Sequence, residues 1–180
     1  MNLYLTNHAN VRNTNFCNAD GQVMYRSETA GSVFAPNKVT TIYKIIPNDT
    51  LDDMADRFTN LATIAWRNIF TPSRLTYEGL RMPIASKGVF AQHRVFTAPG
   101  DGRSFKWTLG VWRVTLNNGS KTMVAQGHRS DIGLTTGRPS QARLEIFPGF
   151  EHLVDLILVT YIYAEKIRKT REKAAQKRLD

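Results

Sequence analysis

Gly149-Phe150-Glu151-His152-Leu153-Val154-Asp155-Leu156-Ile157-Leu158-Val159-Thr160-Tyr161-Ile162-Tyr163-Ala164 is the stretch that decides the fold. From Leu153 to Ala164 only Asp155 and Thr160 interrupt an apolar run. Wound as a helix, those apolar side chains cover every face instead of one stripe, and such a helix has to be enclosed on all sides. The run holds 12 residues, against roughly 20 for a membrane span. The enclosure must therefore come from the rest of the chain.

The rest reads as short strands. Segments at 2–6, 14–17, 22–28, 39–46, 58–66, 74–77, 80–84, 92–97, 104–109, 111–116, 121–127 and 142–147 alternate or are rich in β-branched residues, and turn residues separate them. Asp20-Gly21 marks a tight turn, Ala98-Pro99-Gly100-Asp101-Gly102-Arg103 a hairpin loop, and Asn117-Asn118-Gly119-Ser120 a hairpin suited to a type I′ turn at Asn-Gly. About ten to twelve strands at this spacing predict an antiparallel barrel or sandwich. The expectation is a mostly β fold with a C-terminal helix: a barrel closed around an apolar helix at about 150–165, since closure removes unpaired edges.

After Ala164 the character changes. Residues 165–180 carry seven cations, Lys166, Arg168, Lys169, Arg171, Lys173, Lys177 and Arg178, against Glu165, Glu172 and Asp180. Lacking Pro and Gly, this segment continues the helix, and its cations suit the negative end of the helix dipole. The division expected is one domain over 1–168 and a basic helical tail over 169–180. The whole chain has a formal charge of +9, which favours anionic partners such as phosphates, nucleic acid or an acidic membrane face.

Catalytic and cofactor chemistry finds little support. One cysteine, Cys17, excludes an intramolecular disulfide and a cysteine-based zinc site. No phosphate loop, dinucleotide fingerprint or Gly-x-Ser-x-Gly elbow occurs. The acidic segment at 48–56 lacks the ordered spacing of a calcium loop and reads as solvated. His93-Arg94 and His128-Arg129 echo each other; meeting across the sheet they would form a cationic, pH-sensitive patch, although two unrelated strand ends is the plainer reading. Trp66, Trp107 and Trp112, with Phe105 and Tyr77, suit base stacking on a sheet, but alternating aromatics are more often core. Asp155, inside the apolar helix, needs backbone amides or an arginine to hold its charge. The N-terminus has neither a basic nor an apolar leader region, so a cytoplasmic location is expected, with nuclear entry open.

The set Gly21-Gln22-Val23-Met24-Tyr25, Thr40-Thr41-Ile42-Tyr43-Lys44, Ala65-Trp66, His93-Arg94-Val95-Phe96, Phe105-Lys106-Trp107-Thr108-Leu109-Gly110, Leu144-Glu145-Ile146 and Asp155-Leu156-Ile157-Leu158-Val159-Thr160 resembles a domain of unknown function found mainly in mushroom-forming fungi. More distantly, many strands before an apolar C-terminal helix are similar to the tubby-like superfamily of tubby C-terminal domains, LURP-one-related proteins and phospholipid scramblases. That resemblance implies a barrel of about twelve strands around a central helix. It also implies docking on phosphoinositide headgroups through basic surface residues, without assigning those residues here; a scramblase's cysteine-rich segment is absent. Charge, tail and resemblance together lead us to expect a non-enzymatic binding or adaptor module for anionic phospholipid headgroups, needing no cofactor or small-molecule substrate. The alternative is a cytosolic or nuclear scaffold for a protein partner, for self-association or for nucleic acid.

Overall fold

The structure is a computed structural model that describes residues 1–31, 38–46, 57–67, 73–100, 102–110, 114–131 and 140–177. The acidic segment at 48–56, Trp112, Arg178 and most of the loops at 29–38 and 132–139 lie outside the described residues. The strands are β1 (Asn2–Leu5), β2 (Thr14–Cys17), β3 (Val23–Ala30), β4 (Lys38–Ile46), β5 (Arg57–Trp66), β6 (Arg74–Tyr77), β7 (Leu80–Met82), β8 (Ala85–Lys87), β9 (His93–Thr97), β10 (Ser104–Leu109), β11 (Val114–Asn118), β12 (Met123–His128) and β13 (Arg143–Ile146). Among the described residues there is a single α-helix, α1 (Val154–Gln176).

All the strands form one antiparallel sheet in the order β7-β6-β5-β4-β3-β2-β1-β13-β12-β11-β10-β9-β8. Neighbours in sequence pair as hairpins except β7 and β8, and one long-range pairing, β1 with β13, joins the two arms. It sets Leu3 opposite Leu144, both fully buried. The Met1 ammonium donates to the Ile146 carbonyl oxygen at 2.8 Å and fastens the same junction.

The expected closed barrel does not form: the ladder ends at β7 on one side and β8 on the other. The reason lies in the chain between them. Only Pro83 and Ile84 separate the two edge strands. The first, three residues long, is used in pairing with β6, and the second, equally short, in pairing with β9. No stretch is left over to ladder one edge onto the other, and Pro83 has no N–H to offer. Three residues span at most about 11 Å, so the two edge strands stay close to each other at this dipeptide.

The apolar run is buried as its composition requires. Every residue of α1 from Leu156 to Glu165 is buried, and the helix packs on β5, β10, β11 and β12. Trp107 Nε1 on β10 donates to Thr160 Oγ1 at 3.0 Å, while the Trp66 ring on β5 stacks on Tyr163 with centroids 5.7 Å apart. Trp66, Trp107 and Phe105 all lie in the core, the plainer of the two readings of these aromatics, and are not free to stack on bases. At the other end of the helix, Asp155 accepts from the Tyr25 hydroxyl at 2.5 Å and pairs with Lys44 Nζ at 2.7 Å. Its partners are a phenol and a lysine, not the arginine or backbone amides expected.

The Asn-Gly turn also differs from expectation. The turn spans Asn118 to Lys121, whose N–H donates to the Asn118 carbonyl at 3.0 Å, and the left-handed residue is Lys121 at φ 64°, not Gly119. The Asn118 side chain decides this by accepting from the Thr122 N–H at 2.9 Å, so a three-residue loop replaces the two-residue one.

Candidate anion-binding groove

Beyond Ala164 the helix continues to Gln176 as its composition predicts, but its cations divide into two sets. Arg168 belongs to the inner set. It is buried and donates Nε and Nη2 to the two Glu165 oxygens, both at 2.7 Å, and Nη1 to Glu172 at 3.2 Å. Arg129 also binds Glu172. Arg168 is therefore structural and leaves the expected anion-contact set. Near this row lies a concavity of about 380 Å³ where Arg129 and Lys169 meet Glu165 and Glu172, so its charges are largely compensated internally.

The outer set is different. Lys166, Thr170 and Lys173 recur at i, i+4 and i+7 and share one helix face. Arg12, from the loop between β1 and β2, Lys38, at the start of β4, and Arg67, just past β5, face it across a groove of about 310 Å³ that Arg171 and Trp66 also line. A second lobe of about 220 Å³ shares Arg12, Lys166 and Thr170 and adds Lys169 and Lys173. No carboxylate lines either lobe among the described residues.

The electrostatics follow from that lining. Burial lowers the Lys166 pKa, and the nearby charges of Arg12, Lys173 and Lys38 lower it further. Burial likewise lowers that of Arg12. The Arg12 Nε is buried and has no hydrogen-bond partner among the described residues. That donor lies in a groove that Lys38 and Lys166 also line, and a buried charged donor without an acceptor is costly. Lys166 Nζ meanwhile donates to Thr170 Oγ1 at 2.5 Å, which holds a hydroxyl at the groove wall.

Of the expected anion contacts, Lys166, Lys169, Arg171 and Lys173 reach the groove, while Lys177 is exposed past the helix end. Arg171 also donates Nη2 to the Ala91 carbonyl at 2.7 Å, and Lys169 donates to the His8 carbonyl.

The two His-Arg pairs do not meet. Strands β10 and β11 lie between β9 and β12, so His93 and His128 stand about 14 Å apart across the sheet. His93 contacts Thr108 Oγ1 at 3.3 Å, and His128 contacts Glu145 Oε2 at 2.7 Å. Arg94 is buried against Ser86, Ala91 and His93. No cluster of His, Cys, Asp or Glu suited to a metal occurs among the described residues, and none of their helices is long and apolar enough to cross a membrane.

Arg12, Lys38 and Arg67 went unnoticed in the sequence. Each is an isolated cation next to polar or loop residues, and only the folded chain collects them beside the helix.

An antiparallel sheet with one C-terminal helix packed on it, and beside the helix's distal half a cationic groove with no carboxylate in its described lining, defines a small mostly β protein with this groove as its most distinctive surface. The chain belongs to the Family of unknown function (DUF6593), which matches residues 9–170. The match takes in Arg12, Lys38, Lys166 and Thr170 and ends just before Arg171. No curated protein and no solved structure matches the chain.

Proposed function

We propose that this protein is a non-enzymatic binding module that docks on the phosphate-bearing headgroups of anionic phospholipids at a cytoplasmic membrane face. The observation that carries the reading is the convergence of Arg12, Lys38, Lys166 and Lys173 on a groove with no carboxylate in its described lining. A phosphate monoester supplies the missing acceptors for Arg12 Nε and the lysine ammonium groups as charge-assisted hydrogen bonds. The tubby-like resemblance supports the same reading. On it, the curled sheet with its seam at Pro83–Ile84 encloses α1, and residues 169–177 extend the cationic surface past the sheet.

Co-sedimentation tests it, with vesicles of phosphatidylcholine alone or with added phosphatidylserine or phosphoinositide, at physiological salt. Replacing Lys38, Lys166 and Lys173 together with Gln removes three cations, worth about 1 kcal/mol each near an anionic surface. Phosphoinositide binding is expected to fall by about a hundredfold. Lys177→Gln, away from the groove, is expected to leave it within about threefold. Equal binding by the triple variant and the wild type would refute the groove. A salt-sensitive shift with RNA or DNA, without lipid binding, would transfer the groove to a nucleic-acid backbone.

A further inference from the structure

The turn between β8 and β9 carries the two most exposed large hydrophobic side chains described. Phe90 is 87% exposed and Val89 72%. A lone exposed hydrophobe is ordinary, but this pair is held out by a backbone that resists it. Phe90 and Ala91 both sit at φ 54°, in the left-handed region, without being glycine. Each such residue is strained, so two in succession persist only where the surroundings over-determine them.

The surroundings do so with two arginines. The Ala91 carbonyl accepts from Arg94 Nη1 and from Arg171 Nη2, each at 2.7 Å. Arg94 is buried and also holds Ser86 Oγ at 2.9 Å. The Ala91 N–H returns to the Gly88 carbonyl at 3.0 Å. Gly88 itself has φ 83°, and a Cβ there would lie 2.7 Å from His93 Cδ2, so the base of the turn admits only glycine. The tip is thus a rigid projection. Arg171 ties it to the groove, because the same residue lines the cleft with Arg12, Lys38 and Lys166.

We propose that Val89 and Phe90 form an apolar wedge that enters a bilayer at the headgroup boundary while the adjoining groove holds an anionic headgroup. This rests on the anion-binding reading above and goes further: it makes the ligand a lipid in a membrane, not a free phosphate. Charge complementarity selects the occupant. Lys87 and Arg171 flank the tip and the cationic groove adjoins it, which suits an anionic bilayer and opposes a second copy of a chain carrying +9. Apolar insertion beside cationic headgroup contact is the energetic combination that holds interfacial proteins at membranes.

The test separates the wedge from the groove. Binding is measured to vesicles of phosphatidylcholine with phosphoinositide, and in parallel to soluble inositol trisphosphate by thermal shift. The double variant Val89→Asp/Phe90→Asp is expected to keep the wild-type shift with soluble inositol trisphosphate and to lose vesicle affinity by about ten- to a hundredfold. A probe sensitive to polarity, attached at Phe90→Cys in a Cys17→Ser background, is expected to blue-shift with anionic vesicles only. Unchanged vesicle affinity of the double variant, or a probe that stays in water on bound vesicles, would overturn the wedge and leave the groove standing. Concentration-dependent dimerisation abolished by the double variant, with vesicle binding intact, would also overturn it and assign the tip to a second copy. A wild-type protein that shows no shift with inositol trisphosphate and no vesicle binding would remove the anion-binding reading itself.

Discussion

The Tyr25 hydroxyl donates to Asp155 Oδ1 at 2.5 Å, bridging β3 to the first turn of α1 across 130 residues of chain. Lys44, on the neighbouring strand, occupies the other oxygen at 2.7 Å. This short network fixes the depth and rotation of a helix whose remaining contacts here are apolar and therefore non-directional.

Tyr25→Phe is expected to lower stability by about 1–2 kcal/mol, because a hydrogen bond to a charged acceptor is lost from a buried phenol. Lys44→Met is expected to cost less than about 1 kcal/mol, since Lys44 is 44% exposed and solvent screens the pair. Urea unfolding of the two variants at neutral pH checks the order. A larger loss for Lys44→Met would mean that the ion pair, not the phenol, positions the helix.

Alkaline pH reads the same network from the other side. Burial, with the Asp155 hydrogen bond next, raises the pKa of Tyr25, and burial also raises those of Tyr77, Tyr161 and Tyr163. The unfolded chain releases these protons near pH 10 and the folded chain holds them longer. Stability is therefore full below about pH 10 and declines as the pH climbs above it. Urea midpoints between about pH 9 and 11 measure the slope, and Tyr25→Phe is expected to shallow it. A flat profile would show that these phenols titrate as they do in water.

How much of this the sequence discloses depends on the range of the interaction. The apolar run shows its burial in its composition alone, because a helix without a polar face has nowhere else to go, and Leu156 to Ala164 are buried accordingly. Thr160 interrupts that run for a reason visible only in three dimensions: its hydroxyl accepts from Trp107 and returns a bond to the Leu156 carbonyl. Hairpins were legible from turn residues, since turn chemistry is local. Sheet closure was not, because it depends on how two three-residue edges share one stretch of chain across Pro83. The tail's charge was plain in the sequence, but not which cations are spoken for. Arg168 and Arg171 look alike in sequence, yet one is buried against Glu165 and the other lines a cleft.

Lys121 offers a local test of the corrected turn. As a non-glycine residue at φ 64° it carries a strain that Gly lacks. Lys121→Gly is expected to raise stability by about 0.5–1 kcal/mol, a shift of about 1–4 °C in Tm. Gly119→Ala, at a position outside the left-handed region and with open space around it, is expected to be tolerated. The two-residue turn suggested by the sequence predicts the opposite for Gly119, so calorimetry of both variants distinguishes the turns.

Arg168 sets a condition on any charge-reversal experiment in the tail. Its guanidinium satisfies both oxygens of buried Glu165. Arg168→Ala leaves that carboxylate only the more distant Lys169 ammonium, at 3.8 Å, and is expected to cost about 3–5 kcal/mol, whereas Glu165→Gln with Arg168→Met together is expected to recover much of the loss. A tail reversal that includes Arg168 would abolish vesicle binding by unfolding the protein. Denaturation midpoints of the single and paired variants decide whether the pair is as buried and as coupled as its geometry indicates.

Lys166 links stability to ligand. Its pKa is lowered first by burial and then by Arg12, Lys173 and Lys38, so folding disfavours its charged form. The cost is complete below the folded-state pKa and fades as pH rises through that value toward the ordinary lysine value of about 10.4. Lys166→Met, which keeps the aliphatic stem, is therefore expected to raise stability at pH 7 by about 0.5–1 kcal/mol. An anion in the groove reverses the balance by favouring the charged ammonium. Wild-type protein with soluble inositol trisphosphate at about a hundred times its Kd is expected to gain about 2.7 kcal/mol. The variant, binding more weakly, is expected to gain clearly less from the same concentration. Thermal melts of both proteins with and without the inositol phosphate make the comparison. A variant that is destabilised alone, or that gains as much as the wild type, would show that Lys166 serves the fold and not an anion.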